Sequence, residues 1–378
     1  MAKGVSLKGI HLRLFINGRK IGRNVVDTLQ SANVRTSSNG ATAFQLEFSL
    51  MNHSKIHNQL TFAGQKTRRE TRIAIMVLLN TRQIVLVDGV VTNHQLNPGA
   101  RPGMTRLTLT GEDLTRVMDY EERDGRQFPN LSLAARVRKI LSEYSSYRIS
   151  PMVEEEKHRD VEPRSVRVPH QRGTDLDYIR SMAQLAGHVF CLESDGLERV
   201  IAYWGPEFSK RETLPALSVD LGVATNVTSM NFTFDSEKGE DPIVQTVNKL
   251  DRTIKNIGLG NQFDLNEQLG KRIAEVKRRT KLRGTAKFSD ARSKLAGLAV
   301  KASSANALSA TGSVDTLRYG AILKPRRRVD VRGATEAFNG TWMVQSVTHQ
   351  ISRGVYHQDF KLVRNALDMT SNLSLIHI

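Results

Sequence analysis

Apolar and polar residues alternate with a period of two through most of the first 110 positions, the signature of strands buried on one face. His11 to Ile16 alternates and runs into Asn17-Gly18, a tight-turn dipeptide, before a second run from Arg19 to Val26. Ala43 to Leu50 sets Phe44, Leu46 and Phe48 on one face and Gln45, Glu47 and Ser49 on the other. Thr71 to Leu79, Gln83 to Thr92 and Thr105 to Thr110 follow, with Asn97-Pro98-Gly99 and Arg101-Pro102-Gly103 marking the turn between the last two. Six short strands with this punctuation predict a small antiparallel barrel or sandwich.

The period then changes. A short helix is predicted from Gly111-Glu112-Asp113-Leu114 to near Tyr120. A longer one spans Leu131 to Tyr144, with Leu133, Val137, Ile140 and Leu141 on one stripe. Residues 150–172 are charged and irregular, and Glu154-Glu155-Glu156 reads as a solvated loop. Thr174 starts a capping box with Asp177 as its fourth residue. Leu176, Ile179, Met182, Ala183 and Ala186 make a buried face, and Gly187 gives a left-handed stop. His188 to Leu192, the turn Ser194-Asp195-Gly196 and Arg199 to Tyr203 then form a hairpin. Strands return at Leu217–Leu221, Val227–Phe234 and Ile243–Leu250. Within 251–310, Leu269, Ile273 and Val276 fit one helical stripe, and Leu295, Leu298 and Ala299 another. Arg328–Arg332, Thr341–Ile351 and Tyr356–Arg364 close the chain as β.

The two β regions echo each other. Val91-Thr92-Asn93-His94-Gln95-Leu96 stands before a glycine-containing turn and a strand, as does Val347-Thr348-His349-Gln350-Ile351. With one gap, His94 and His349 occupy equivalent hairpin positions, which predicts a shared structural role. The chain then holds two similar barrels with helical material between them.

Composition narrows the chemistry. In 378 residues, 55 Lys and Arg stand against 38 Asp and Glu, a formal charge of +17, and the mean hydropathy is −0.36. These are globular values that exclude wholesale disorder and rods. The single cysteine, Cys191, excludes a disulfide framework and a cysteine-based zinc site within one chain, which fits folding in a reducing compartment. No secretory leader and no membrane-length apolar stretch is legible, so a soluble cytoplasmic product is expected. No H-E-x-x-H, Walker or nucleophile-elbow motif occurs. Gly258-Leu259-Gly260 lacks a third glycine, His53 and His57 lack a third ligand, and Cys191 falls in a half-buried strand as an inert core thiol. No catalytic residue, cofactor or metal site is predicted.

Residues 251–310 carry 13 Lys and Arg against 5 Asp and Glu, a net of +8. Two clusters are candidate partner contacts: Lys277, Arg278, Arg279, Lys281 and Arg283, and Lys324, Arg326, Arg327 and Arg328. Phosphate contacts would use such clusters. Only Phe263 and Phe288 interleave them as aromatics in 251–310, so a single-strand stacking platform is missing, and an acidic protein partner or a solvated face fits better.

Three segments resemble the late control D proteins, the baseplate hubs of contractile phage tails, together with the hub portion of VgrG spikes and the hubs of contractile injection systems. They are the helix-hairpin from Thr174 through Gly187 to Phe190, Val329-Asp330-Val331-Arg332-Gly333 followed by Phe338 to His349, and Leu107-Thr108-Leu109-Thr110-Gly111-Glu112-Asp113. They recur in order over most of the chain. The resemblance implies an α+β, mainly β chain: two similar tube-type antiparallel β-barrels with an α+β domain inserted between and within them. It places the first tube-like barrel at 1–118, the insert at 119–212 and 251–310, the second barrel at 213–250 and 311–366, and a short tail at 367–378.

It further implies a non-enzymatic homotrimer, a symmetry adaptor joining a six-fold inner tube to a three-fold spike within the baseplate of a phage tail or injection particle. Its partners would be the inner tube protein, a separate spike protein and other baseplate proteins, with nucleic acid only as passing cargo. The spike is expected to be separate because no oligonucleotide-fold domain or β-helical repeat is legible after Arg364. A basic nucleic-acid-binding protein is the alternative.

Overall fold

The structure, a computed structural model, describes residues 10–51, 70–99, 104–159, 161, 164–165, 167–208, 212–248, 251–260 and 265–367. His53, His57, Phe263 and positions 368–378 lie outside them.

The chain is mainly β. Its first seven strands are β1 (Ile10–Ile16), β2 (Arg19–Lys20), β3 (Leu29–Ser37), β4 (Ala43–Leu50), β5 (Arg72–Leu79), β6 (Arg82–Asn97) and β7 (Thr105–Asp113). Alternation drives most of them: Phe44, Leu46 and Phe48 are buried on one side of β4, while β5 is buried on both faces. A central segment carries β8 (Ile149–Val153), β9 (His188–Ser194) and β10 (Val200–Pro206). Then come β11 (Thr213–Ser218), β12 (Ser229–Phe234), β13 (Glu240–Val247), β14 (Ile254–Ile257), β15 (Arg278–Lys281), β16 (Leu308–Asp315), β17 (Arg328–Arg332), β18 (Gly340–Ser352) and β19 (Val355–Arg364).

One large sheet runs β12-β16-β19-β18-β3-β4-β7-β6-β5-β1-β2, with β17 on β18 and β11 on β17. Read in halves, β3-β4-β7-β6-β5-β1 and β12-β16-β19-β18-β17-β11 have the same spatial order and the same order along the chain. They differ in one pairing, since β1 meets β5 antiparallel and β11 meets β17 parallel. A bulge marks the same place in each: Thr92 is skipped between Val91 and Asn93, and Gln345 between Val344 and Ser346. Neither half closes into a barrel among the described residues. The halves are fused edge to edge, with Ser346–Ser352 of β18 paired antiparallel to Ser31–Ser37 of β3.

The bulges put Val91 opposite Val344 in this correspondence, three residues away from the Val347 suggested by the sequence echo. The shared role expected for His94 and His349 fails accordingly: His349 is buried and His94 is exposed.

The large sheet has two apolar cores. One gathers β1 and β3–β7 with Ile322, Ile351 and Tyr356, and the other gathers the second half around Trp342, Phe360 and Leu362. The central segment has a third. Its helices Leu133–Ser142 and Asp175–Ala186 pack with the β8-β10-β9 sheet and with Leu295, Leu298, Ala299 and Ala302 of the helix Asp290–Ser304. Ser132, Thr174 and Ser289 accept hydrogen bonds from backbone N–H groups at the three helix starts, and Gly187 ends the second in the left-handed region at φ 66°.

Several expectations are corrected here. Glu156 is buried, not solvated; its two carboxylate oxygens accept from the N–H groups of Leu133 and Ala134 at 3.1 Å each, where the helix dipole favours a negative charge. β13 leaves the large sheet and forms a separate one, ordered β14-β13-β15, so the second β half breaks before 240 and resumes at Leu308. The alternating Pro242, Val244 and Thr246 of β13 form its buried face, and Val244 meets the helix Asp290–Ser304 at Gly297. The helical stripe at Leu269, Ile273 and Val276 does not form. Gly270 has no room for a Cβ against Ala366 and Leu367, and Arg272 exchanges two backbone hydrogen bonds with Leu367, which holds the segment extended.

Candidate assembly interface

The first basic cluster lies on the edge strand β15 and on the residues flanking it. Arg278, Arg279, Lys281 and Arg283 are exposed, as is Lys277. Lys277 pairs with Glu237 at 2.9 Å and Arg279 reaches Asp241 at 3.8 Å. Among the described residues, no ion pair engages Arg278, Lys281 or Arg283. Parallel pairing of β15 with β13 through Glu240↔Arg278 and Ile243↔Lys281 sets this row at a sheet edge.

The second cluster is turned inward. Arg326 is wholly buried. Its Nη1 donates to Glu193 at 2.6 Å and to the Cys191 sulfur at 3.4 Å, and its guanidinium lies over the Tyr203 ring at 3.2 Å from the centroid. Arg327 also reaches Glu193, at 3.3 Å, and Arg328 pairs with Glu267. Half-buried Lys324 has its pKa lowered, first by burial and then by the charge of Arg327. Arg326 is therefore no partner contact: it fastens the β9-β10 hairpin to the second half of the sheet, with a planar cation that stacks and donates at once.

Burial also settles the thiol and the histidines. Cys191 has its pKa pushed up to about 11 by desolvation, so it stays protonated and inert. His349 is pushed down to about 3 by burial and by Lys324, and the Tyr356 hydroxyl sits 2.9 Å from its Nδ1. His188, edge-on to Trp204, is pushed down to about 4 by burial. Asp113 is buried and its carboxyl is raised by desolvation, against hydrogen bonds from the Thr42 and Thr115 N–H groups. Each of these groups is held among packed strands and has a structural partner.

What the molecule presents outward is sheet edge. β12 is the terminal strand of the large sheet, so one side of its backbone has no described partner strand. The outer part of β6 beyond Val91 is paired with β7 on one side only, because β5 stops opposite Val90. Unpaired strand edges are templates for pairing with another chain. Leu96 on β6 and Phe234 on β12 are 40% and 46% exposed, although both lie on the face that turns apolar elsewhere. The sequence gives no sign of either, because an edge is defined by the neighbour a strand lacks.

No known family profile matches the sequence, and no curated protein matches it. Solved structures do match over nearly the whole chain. The 43 kDa tail protein of prophage MuSo2 from Shewanella oneidensis aligns with a TM-score of 0.64 at 11% identity, covering 95% of this chain and 100% of that one. A tail protein from Neisseria meningitidis MC58 aligns at 0.63 and 11% identity, covering 94% and 97%. The E. coli c3393 protein, a component of the type VI secretion system with structural similarity to the T4 tail proteins gp27 and gp5, aligns at 0.56 and 12% identity, covering 95% and 79%. At such identities the likeness is one of fold, and the chain has the fold of these tail and secretion-system proteins.

Proposed function

We propose that the chain is a non-enzymatic baseplate hub of a contractile tail or injection machine: a homotrimer that joins a six-fold inner tube to a three-fold spike. The observation that supports this most is the repeat of one six-strand order, with its bulge, inside a single chain. Three copies then present six similar units in a ring, which is what a junction between six-fold and three-fold partners requires. The tail-protein fold shared over the chain's length supports the same reading. In it, each half of the large sheet serves as one tube-type unit, and the central segment with the basic β15 lies to the side as an insert. The exposed residues Lys277, Arg278, Arg279, Lys281 and Arg283 face an acidic surface of the spike or baseplate. The protein is made in the bacterial cytoplasm and carried in the assembled particle. A ring contact of this obligate kind buries on the order of 2,000–5,000 Å².

The test is assembly. The purified chain is weighed by light scattering over a concentration series and challenged with the tube and spike proteins encoded beside it. A trimer that captures both is expected. A chain that stays monomeric at high concentration and binds neither overturns the proposal.

A further inference from the structure

The inward-turned basic cluster lines a cavity where three units meet. Ser37 of β3 and Leu86 of β6 come from the first half of the sheet, Lys324, Arg327 and His349 from the second, and Glu193 from the β9-β10 hairpin. The cavity holds about 170 Å³. One ordered water needs about 10–15 Å³ of such space, so a small polyatomic ion fits. Arg326 takes a φ of 61°, in the left-handed region. That turn lets consecutive arginines reach one carboxylate, whereas an extended strand would send them to opposite faces.

Positive charge is in excess at this place. Arg326 and Arg327 donate to the two oxygens of Glu193, at 2.6 and 3.3 Å, so two cations share one carboxylate. Lys324 is a third cation, and it has no ion pair among the described residues. Asp195, exposed at the rim, pairs with Arg199 at 3.3 Å. The groups feel one another: after burial, the charge of Arg327 lowers the pKa of Lys324, and the charge of Lys324 lowers that of His349. Arg327 Nη1 is buried with no hydrogen-bond partner among the described residues. A buried charged donor left unpaired costs free energy, so an acceptor that fills the cavity is favoured. Three N–H groups of the Lys324 ammonium and the free guanidinium nitrogen offer more donors than a halide can use. The surplus of cations over carboxylate favours a phosphate group, whose charge near neutrality is about −1.5 to −2.

We infer that this cavity is a binding site for a small tetrahedral oxyanion of the phosphate class, held by Lys324 and Arg327. Its walls belong to both halves of the sheet and to the hairpin, so the bound anion fastens the three together. Occupancy then stabilises the chain by mass action. The site lies within one copy and uses neither the exposed basic row nor a sheet edge, so it goes beyond the hub reading and does not depend on it.

Inorganic phosphate is the probe, exchanged against chloride at constant ionic strength so that screening does not change. Equilibrium dialysis of radiolabelled phosphate should show one saturable site per chain in the millimolar range or below, and the thermal midpoint should climb with the logarithm of phosphate concentration. Lys324→Met and Arg327→Met should each weaken binding at least about ten-fold, because each removes a charge-assisted contact. Lys287→Met removes the same charge from an exposed position and should leave binding within about two-fold. Dialysis requires only that the protein be folded, and Lys324→Gln carries the test if the methionine variant does not melt cooperatively. Acetate at the same concentration should not displace the phosphate. Three results overturn the site: no saturable binding up to about 10 mM phosphate, an equal loss in all three methionine variants, which reports net charge alone, or displacement by acetate. None of them alters trimer mass by light scattering, so the hub reading stands or falls separately.

Discussion

Val91 and Val344 stand at the same point of the two halves of the sheet. The N–H of each donates at 3.0 Å to the residue just before a strand, Thr71 in one case and Arg327 in the other, and in each the next residue bulges out of the ladder. That next residue lies outside the ladder, so removing it should straighten the strand without moving later side chains across the sheet. Deleting Gln345 leaves Val344, Ser346 and Val347 opposite Leu362, Lys361 and Phe360, and Val347, His349 and Ile351 stay on the buried face. Deleting Thr92 likewise leaves Val91, Asn93 and His94 opposite Gly111, Thr110 and Leu109. Each variant should stay folded and change stability by about 1–2 kcal/mol. Urea denaturation on both variants checks this; a loss above about 3 kcal/mol in either would mean that the bulge itself holds the fold.

Arg326 holds Glu193, the Cys191 sulfur and the Tyr203 ring in one place, so its removal should be felt as a loss of stability rather than of partner binding. Arg326→Ala leaves a cavity and takes a buried cation away from the Glu193 carboxylate, which should cost about 3–5 kcal/mol. Arg326→Met keeps much of the volume and should cost less. Denaturant midpoints measure both. Thiol labelling gives an independent reading: native Cys191, its pKa pushed up to about 11, should react on the order of 100-fold more slowly than in the unfolded chain, and Arg326→Ala should narrow that gap. A loss below about 1 kcal/mol for the alanine variant would show that the hairpin is held by other contacts.

Local chemistry made much of this fold readable. Phe44, Leu46 and Phe48 alternate because they are buried on one side, and Thr174 and Gly187 bound a helix because each solves a backbone problem on the spot. Reading failed where a distant segment decides. Leu269, Ile273 and Val276 are spaced like a helix, yet Arg272 pairs with Leu367 and holds the chain extended, at a place where only glycine fits at position 270. Ile149-Ser150-Pro151-Met152-Val153 alternates weakly and becomes a strand only by lying parallel to β10. Glu156 looks like part of an acidic loop until the helix start at Leu133 comes beside it. The internal repeat was visible but three residues out of step, since bulge positions follow from pairing and not from residue identity. The exposed edge residues Leu96 and Phe234 are not legible either, because exposure there depends on a missing neighbour.

His349 should make stability depend on pH in a defined window. Its folded pKa, pushed down to about 3, lies below the unfolded value near 6.5. The unfolded chain therefore binds more protons between those limits, and stability falls as pH drops below about 6.5. His188, pushed down to about 4, acts in the same direction. Asp113 and Glu207 oppose it: burial raises both, so their protonated folded forms are favoured in acid. Comparison with a variant removes that background. His349→Gln keeps a polar partner for Tyr356 and does not titrate. Between pH 7 and pH 5 the native protein should lose about 2 kcal/mol more than this variant in urea denaturation. Parallel curves for the two would mean that His349 is not held neutral.

The exposed basic row separates the hub reading from nucleic-acid binding. Arg278 and Lys281 have no ion pair among the described residues, so reversing both charges, Arg278→Glu with Lys281→Glu, should alter stability by about 1 kcal/mol or less. Under the hub reading the trimer mass should not change, because neither half of the large sheet carries either residue. Under the hub reading the double variant loses capture of the acidic spike or baseplate partner, and the native chain binds duplex DNA no more tightly than its net charge alone provides. A DNA-binding protein behaves otherwise: micromolar or tighter affinity, a steep fall of log affinity with log salt, and a slope that shrinks by about 2 when two phosphate contacts are removed. Arg326, buried and paired with Glu193, cannot take part in either outcome, so reversing it would test only folding. The discriminating measurement is the salt slope of native and double-variant protein on the same duplex, read beside partner capture at the same ionic strength.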